Sequence, residues 1–223
     1  MNTDIFLKLT NNDSSLTKLN LMHKGIRTDD TIKLGKCLKQ NTTVNELDLS
    51  DNCICLEYYD DDYYNYTGLQ TICDSLKINT TLTVLNLRNN HICNEGAEII
   101  ADMLQHNTTL LQLNLSKNDI NINGIQEIAG SLKVNHTLKE LNIAENYFGD
   151  TGILSIIDAL KVNTSLEALI IPLNYISDIG GQLINDLLDY NKKLTRIVYN
   201  PNFIDKEICI QIQSKLSRNR LNN

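Results

Sequence analysis

The chain has 223 residues, 42 % of them hydrophobic and 21 % charged, and its formal net charge is −7. An acidic balance argues against nucleic acid or an anionic membrane as the main partner, since both require concentrated Lys and Arg. No apolar stretch approaches the ~20 residues of a membrane span, and with 5 % aromatics and no Trp the core must be mostly aliphatic.

The opening segment, Thr3 to Asn12, places Ile5, Phe6, Leu7 and Leu9 on a short predicted helix, and residues 1–15 read as an N-terminal cap covering the first repeat unit. Asp4 comes early and no apolar run ends at a cleavage site, so no secretory leader is expected. From Leu16 onward the sequence repeats. Leu16-Leu19-Leu21 is followed by Val44-Leu47-Leu49-Asn52-Ile54, then Leu82-Leu85-Leu87-Asn90-Ile92 and Leu110-Leu113-Leu115-Asn118-Ile120. Leu138-Leu141-Ile143-Asn146-Phe148, Leu166-Leu169-Ile171-Asn174-Ile176 and Leu194-Ile197-Tyr199-Asn202-Ile204 complete the series. The units start at 16, 44, 82, 110, 138, 166 and 194, spaced by 28 residues except for one gap of 38. The second unit therefore carries ten extra residues, about 55–66. Seven units cover residues 16 to 221, and the whole of 1–223 reads as one domain.

In LxxLxLxxN the fourth and sixth residues alternate onto one face of a short strand. The Asn offers both a donor and an acceptor to backbone groups left open in the turn; only the first unit lacks it, with Lys24 in its place. The second half of each unit has helical spacing, as in Ile125, Ile128, Ala129 and Leu132, or Leu69, Ile72, Cys73 and Leu76. Gly68, Gly96, Gly124, Gly152 and Gly180 recur near the helix starts, where a missing side chain allows close approach. Asn41, Asn79, Asn107, Asn135, Asn163, Asn191 and Asn219 are expected to end the helices by adopting the left-handed conformation. Gln213 stands where inner units have Ala129 or Ile157, as an exposed last repeat requires. No unit buries its own apolar face, so stacking is obligatory: strands form a parallel sheet on the inner wall and helices cover the outer wall.

A 28-residue unit reading LxxLxLxxNxIxxxGxxxIAxxLxxN resembles the ribonuclease-inhibitor class of leucine-rich repeats, the class that also supplies the sensor halves of NOD-like receptors. The resemblance spans over nine-tenths of the chain. It implies an α/β, right-handed solenoid, a horseshoe arc with the parallel β-sheet concave and the helices convex. It says less about function: members bind ribonucleases, activate a small GTPase, cap actin or sense microbial products, and share a curved protein-binding surface.

On the concave side, positions 20, 48, 86, 114 and 142 form an Asn/Asp ladder that breaks to Ile170 and Val198. Ala168, Pro172 and Leu173 lie around the break, and an exposed apolar cluster marks a partner site. The alternative is that this end is simply less polar, or covered by the last residues. Other candidate contacts on this face are Glu46, Asp48, Asp51, Arg88, Asn114, Glu140, Asn142 and Arg196, and Ser50, Ser116 and Ala144 are expected to face the same side. The second candidate is the insertion, Glu57-Tyr58-Tyr59-Asp60-Asp61-Asp62-Tyr63-Tyr64-Asn65-Tyr66, which holds five of the nine Tyr. Tyr is favoured at interfaces, and acids beside it, with Glu46, Asp48 and Asp51 in the same unit, suit a partner with a basic surface. The alternative is a tolerated surface insertion. Three consecutive Asp do not wrap a calcium ion.

Catalytic arrangements are not found, and no phosphate loop or nucleophile elbow occurs. His91 with Cys93, and Cys53 with Cys55, lack the second pair that zinc needs, so neither metal nor cofactor is expected. The six cysteines read as free thiols of a reducing compartment. The Asn-x-Ser/Thr triplets at 41, 79, 107, 135 and 163 read better as a repeat position than as glycan acceptors. The expected function is a non-enzymatic, monomeric, cytoplasmic protein-binding module. Alternatives are an inhibitor of a partner enzyme, a small-GTPase activator, or a secreted effector of an intracellular microbe working in host cytoplasm. Ser217 to Asn223 differs from the acidic tail of the activators.

Overall fold

The structure is a computed structural model that describes residues 3–56 and 64–222. Strands and helices alternate strictly. Helix α1 (Thr3–Thr10) precedes seven strand–helix units: β1 (Lys18–Asn20) and α2 (Thr28–Leu38), β2 (Glu46–Asp48) and α3 (Thr67–Leu76), β3 (Val84–Asn86) and α4 (Cys93–His106). Next come β4 (Gln112–Asn114) and α5 (Ile122–Leu132), β5 (Glu140–Asn142) and α6 (Gly149–Leu160), β6 (Ala168–Ile170) and α7 (Asp178–Tyr190), and β7 (Arg196–Val198) with α8 (Lys206–Asn222). All seven strands form one parallel sheet in sequence order, and the register aligns repeat with repeat, Leu113 with Leu141 and Leu141 with Leu169. This is a leucine-rich-repeat solenoid. Among the described residues, no helix is long and apolar enough to cross a membrane.

The middle residue of every strand is buried and its two neighbours face outward, except at β6, where Ala168 is buried as well. Leu47, Leu85, Leu113, Leu141, Leu169 and Ile197 therefore meet the helix residues Ile72, Ile100, Ile128, Ile156 and Ile184 in one continuous aliphatic core. Each such side chain contributes about 1.5–3 kcal/mol by leaving water. Gly124 shows why the helix starts demand glycine: a Cβ there would lie 2.6 Å from Ile120 Cγ2 and 2.9 Å from Ala97 Cβ of the preceding coil. At the first end Leu9 is buried against α2, with Ile5 and Phe6 packed on the core, whereas Leu7 points to solvent.

Two asparagine ladders close the coils. In the first, Asn146 Nδ2 donates to the carbonyls of Leu115, Ile143 and Ala144 at 2.9, 3.1 and 3.0 Å. Its Oδ1 accepts from the N–H groups of Asn118 and Ile120 in the preceding coil. Asn118, Asn174 and Asn202 repeat the arrangement, and Asn52 does the same for Lys24 and Ile26. Asn90 departs from it: its Oδ1 is buried without a partner, at the coil that follows the insertion. The donors in the equivalent position would be the N–H groups of Asn52 and Ile54.

The second ladder corrects an expectation. Asn107 and Asn191, at the ends of α4 and α7, are extended (φ −74°, ψ 129° and φ −77°, ψ 111°), not left-handed. Asn219 lies inside α8. These residues act through their side chains. Asn107 Nδ2 donates to Leu76 O at 2.6 Å, and its Oδ1 accepts from Thr109 and Leu110 N–H. Asn41, Asn79, Asn135 and Asn163 do likewise. All five sequon asparagines are thus buried with the amide nitrogen engaged, and a glycan on that nitrogen is incompatible with the fold. The left-handed residues sit instead on either side of the first ladder, at Asn89, Lys117, Glu145 and Leu173 before the Asn and at His91, Asp119, Tyr147 and Tyr175 after it.

Candidate protein-binding surface

The polar ladder on the sheet is an internal device. Asn20 Oδ1 accepts from Met22 N–H (2.9 Å), Asn86 from Arg88 (3.1 Å), Asn114 from Ser116 (3.0 Å) and Asn142 from Ala144 (3.1 Å). Asp48 takes both the N–H and the hydroxyl of Ser50. Ser50, Ser116, Ala144 and Ala168 are buried, so these four positions, expected on the open face, are closed to a partner. At the sixth coil the acceptor is replaced by Ile170, and the residue two further on is Pro172, which has no N–H. Ile170, Pro172 and Val198 are half-buried on the sheet side and Leu173 is 47 % exposed. Ile171, between Ile170 and Pro172, is buried in the core, and Leu173 N–H donates to Pro201 O in the next coil.

Charged groups on the same face find one another. Lys18 Nζ lies 2.8 Å from Glu46. Asp51 accepts from Arg88 at 3.1 Å and from Asn89 at 2.8 Å. Arg196 reaches Glu140 at 3.4 Å, two strands away, over the small Ala168 between them. Such exposed pairs add little stability, but they leave the acidic side chains with a cation alongside. From the insertion, Tyr58, Tyr59, Asp60, Asp61, Asp62 and Tyr63 lie outside the described residues. Tyr64 is exposed, pairs with Leu56 in an isolated antiparallel bridge and stacks on Tyr66 with centroids 6.1 Å apart and planes within 5°.

Burial pushes the Cys55 and Cys73 thiols well up from their ordinary value, and burial, with Cys93 nearby, raises the Tyr66 phenol. Buried neutral thiols are inert. All six cysteines are unpaired, and no group of His, Cys, Asp or Glu among the described residues is placed to hold a metal ion.

The structure adds a feature that the strand positions did not reveal. The residues immediately after the ladder asparagines of the last three coils are Tyr147, Tyr175 and Phe203. They pack in a row along the rim, Tyr147 tilted against Tyr175 and Tyr175 stacked on Phe203, with centroid separations of 5.5 and 6.0 Å, and are 54, 59 and 69 % exposed. With Leu173, Pro201 and Asn202 they line a hollow of about 230 Å³. The signal was in the repeat register, one residue past each Asn, where His91 and Asp119 give way to aromatics.

A family model described as Leucine Rich repeat matches residues 40–54, 79–101, 106–129 and 134–156. Among curated proteins none matches the chain. Among solved structures the chain is similar to the tropomodulin C-terminal domain of Caenorhabditis elegans, with TM-score 0.50 and 12 % identity over 98 % of this chain and 93 % of that one. It is also similar to "Leiomodin-1 Actin-Binding Site 2", with TM-score 0.46 and 20 % identity over 98 % of this chain and 89 % of that one. At these identities the likeness concerns the fold.

Proposed function

We propose that the chain is a non-enzymatic protein-binding module of the ribonuclease-inhibitor type, working as a single chain in the cytoplasm. Its main docking surface is the C-terminal part of the sheet face, centred on Ile170, Pro172, Leu173 and Val198. The observation that carries this reading is the break in the polar ladder: at Ile170 and Pro172 the strand has given up both the acceptor and the donor of a turn bond that five other coils keep. An isolated chain gains nothing internally from half-exposed apolar groups there, whereas a partner that covers them does. The acidic Tyr-rich loop at about 55–66, with Glu46, Asp48 and Asp51, is a secondary contact for a basic surface. The ion pairs of Glu46 and Asp51 shift the weight toward the apolar end.

The test is affinity capture with quantitative mass spectrometry, comparing the native chain with an Ile170→Asp/Val198→Asp variant and with a deletion of residues 57–66, each checked for folding by circular dichroism. A partner retained by the native chain and lost by the double variant supports the reading. An unchanged set of partners from a folded double variant contradicts it.

A further inference from the structure

The loops leaving the strands carry a column of residues just after each ladder asparagine, running His91, Asp119, Tyr147, Tyr175 and Phe203. Tyr147 packs on Tyr175 with the planes tilted by 39°, and Tyr175 stacks on Phe203 with the planes within 19°. Tyr147, 54 % exposed, is the first ring of the row, and at the same turn position of the preceding coil stands Asp119. The two coils are locked in register at that place, because the N–H groups of Asn118 and Ile120, on either side of Asp119, both donate to Asn146 Oδ1, next to Tyr147. The Asp119 side chain is 58 % exposed and lies 3.8 Å from His91 Nδ1. Glu145, half-buried two residues before Tyr147, has no ion-pair partner among the described residues. The Lys and Arg residues of these five turns are Arg88, which pairs with Asp51, and Lys117. Asp119 and Glu145 thus stand near one end of the aromatic row, and the row itself, with Leu173, Pro201 and Asn202, lines the apolar hollow.

We infer that this rim binds an extended segment of a partner protein carrying an arginine and, roughly three residues further along, an aliphatic or aromatic side chain. A guanidinium is flat enough to stack on the exposed Tyr147 ring while donating to the Asp119 carboxylate, a combination that a lysine ammonium serves less well. The apolar side chain fills the hollow. The two ring steps of 5.5 and 6.0 Å set the spacing, since an extended chain advances about 3.3 Å per residue. The inference rests on the reading of the chain as a protein binder and adds the chemistry of what it binds, using side chains other than Ile170 and Val198.

The test is a fluorescence-anisotropy titration of the full chain against a fluorescein-labelled peptide, Gly-Ser-Arg-Ser-Ser-Leu-Ser-Gly, with versions bearing Gln or Lys for Arg and Ser for Leu. Saturable binding is expected, weakened about threefold or more by Asp119→Asn, by Tyr147→Ala and by Lys or Gln in place of Arg. Phe203→Ala removes the advantage of Leu over Ser, and Leu154→Ala, at an exposed position of helix α6, leaves the peptide affinity unchanged. All the substituted rim residues are exposed, so the variants keep the native circular dichroism spectrum. No saturable binding, or equal binding by native, Asp119→Asn and Tyr147→Ala proteins, overturns the inference. If that happens while Ile170→Asp/Val198→Asp still abolishes partner capture, only the rim assignment falls.

Discussion

Ile170 and Pro172 depart from the repeat together: the first has no acceptor, and the second has no N–H for an acceptor to receive. In the preceding coil Asn142 Oδ1 takes the N–H of Ala144 at 3.1 Å, and neither half of that bond survives one coil later. The two residues are energetically linked even though no hydrogen bond joins them. Ile170→Asn alone gains nothing, because its acceptor finds no donor. Combined with Pro172→Ala it restores the bond, so a double-mutant cycle in urea denaturation is expected to show a favourable coupling of about 1 kcal/mol. Additive single effects would contradict this account of the turn.

The two kinds of Asn in the repeat differ in their stakes. Asn146 joins five backbone groups of two coils in a dry interior, whereas Asn114 serves one N–H at the sheet surface. Asn146→Ala leaves several buried groups unpaired and is expected to cost about 3 kcal/mol or more, against about 1 kcal/mol or less for Asn114→Ala. Chemical denaturation measures both.

At the helix ends, the extended backbone and bonded side chain of Asn107 make a prediction opposite to that of a left-handed cap. Glycine would be tolerated at a left-handed position. Here Asn107→Gly removes bonds to Leu76, Thr109 and Leu110 and adds backbone freedom, for an expected loss of about 2 kcal/mol or more. Equal stability of the variant and the native chain would restore the left-handed reading.

The buried thiols give the fold a pH dependence with a definite sign. Burial raises the folded pKa values of Cys55 and Cys73 above their unfolded values. Their contribution is complete below the unfolded thiol pKa of about 8.5 and is lost as the pH rises above it, because the unfolded chain releases protons that the folded chain keeps. Urea midpoints are expected to fall between pH 7.5 and 10, and to fall less in a Cys55→Ala/Cys73→Ala variant. An identical decline in the two proteins would place the effect elsewhere.

The leucine register made the solenoid legible because a buried position recurs at a fixed interval and tolerates only aliphatic residues; Leu113 and Leu141 announce themselves 28 residues apart. The helix-end asparagines were located correctly but given the wrong means of action, since a sequence shows that Asn107 is an asparagine and not which carbonyl its amide meets. Ser116 and Ala144 looked open because strand alternation places them outward, yet the turn tucks them in. The Arg196–Glu140 pair skips a whole coil and depends on the small size of Ala168, a three-body fact that pairwise spacing does not carry. Tyr147, Tyr175 and Phe203 share a register, but they lie in turns, where neither helical nor strand periodicity draws attention to them.

The most direct test of the central claim, that apolar groups freed at the C-terminal part of the sheet dock a partner, is site-specific photo-crosslinking. A benzophenone amino acid is placed at position 170 or 198, and as a control at position 154, where Leu154 is exposed on helix α6. The account predicts crosslinks to a partner protein from 170 and 198 and none from 154. Crosslinks from 154 alone, with 170 and 198 silent in a folded protein, would contradict it.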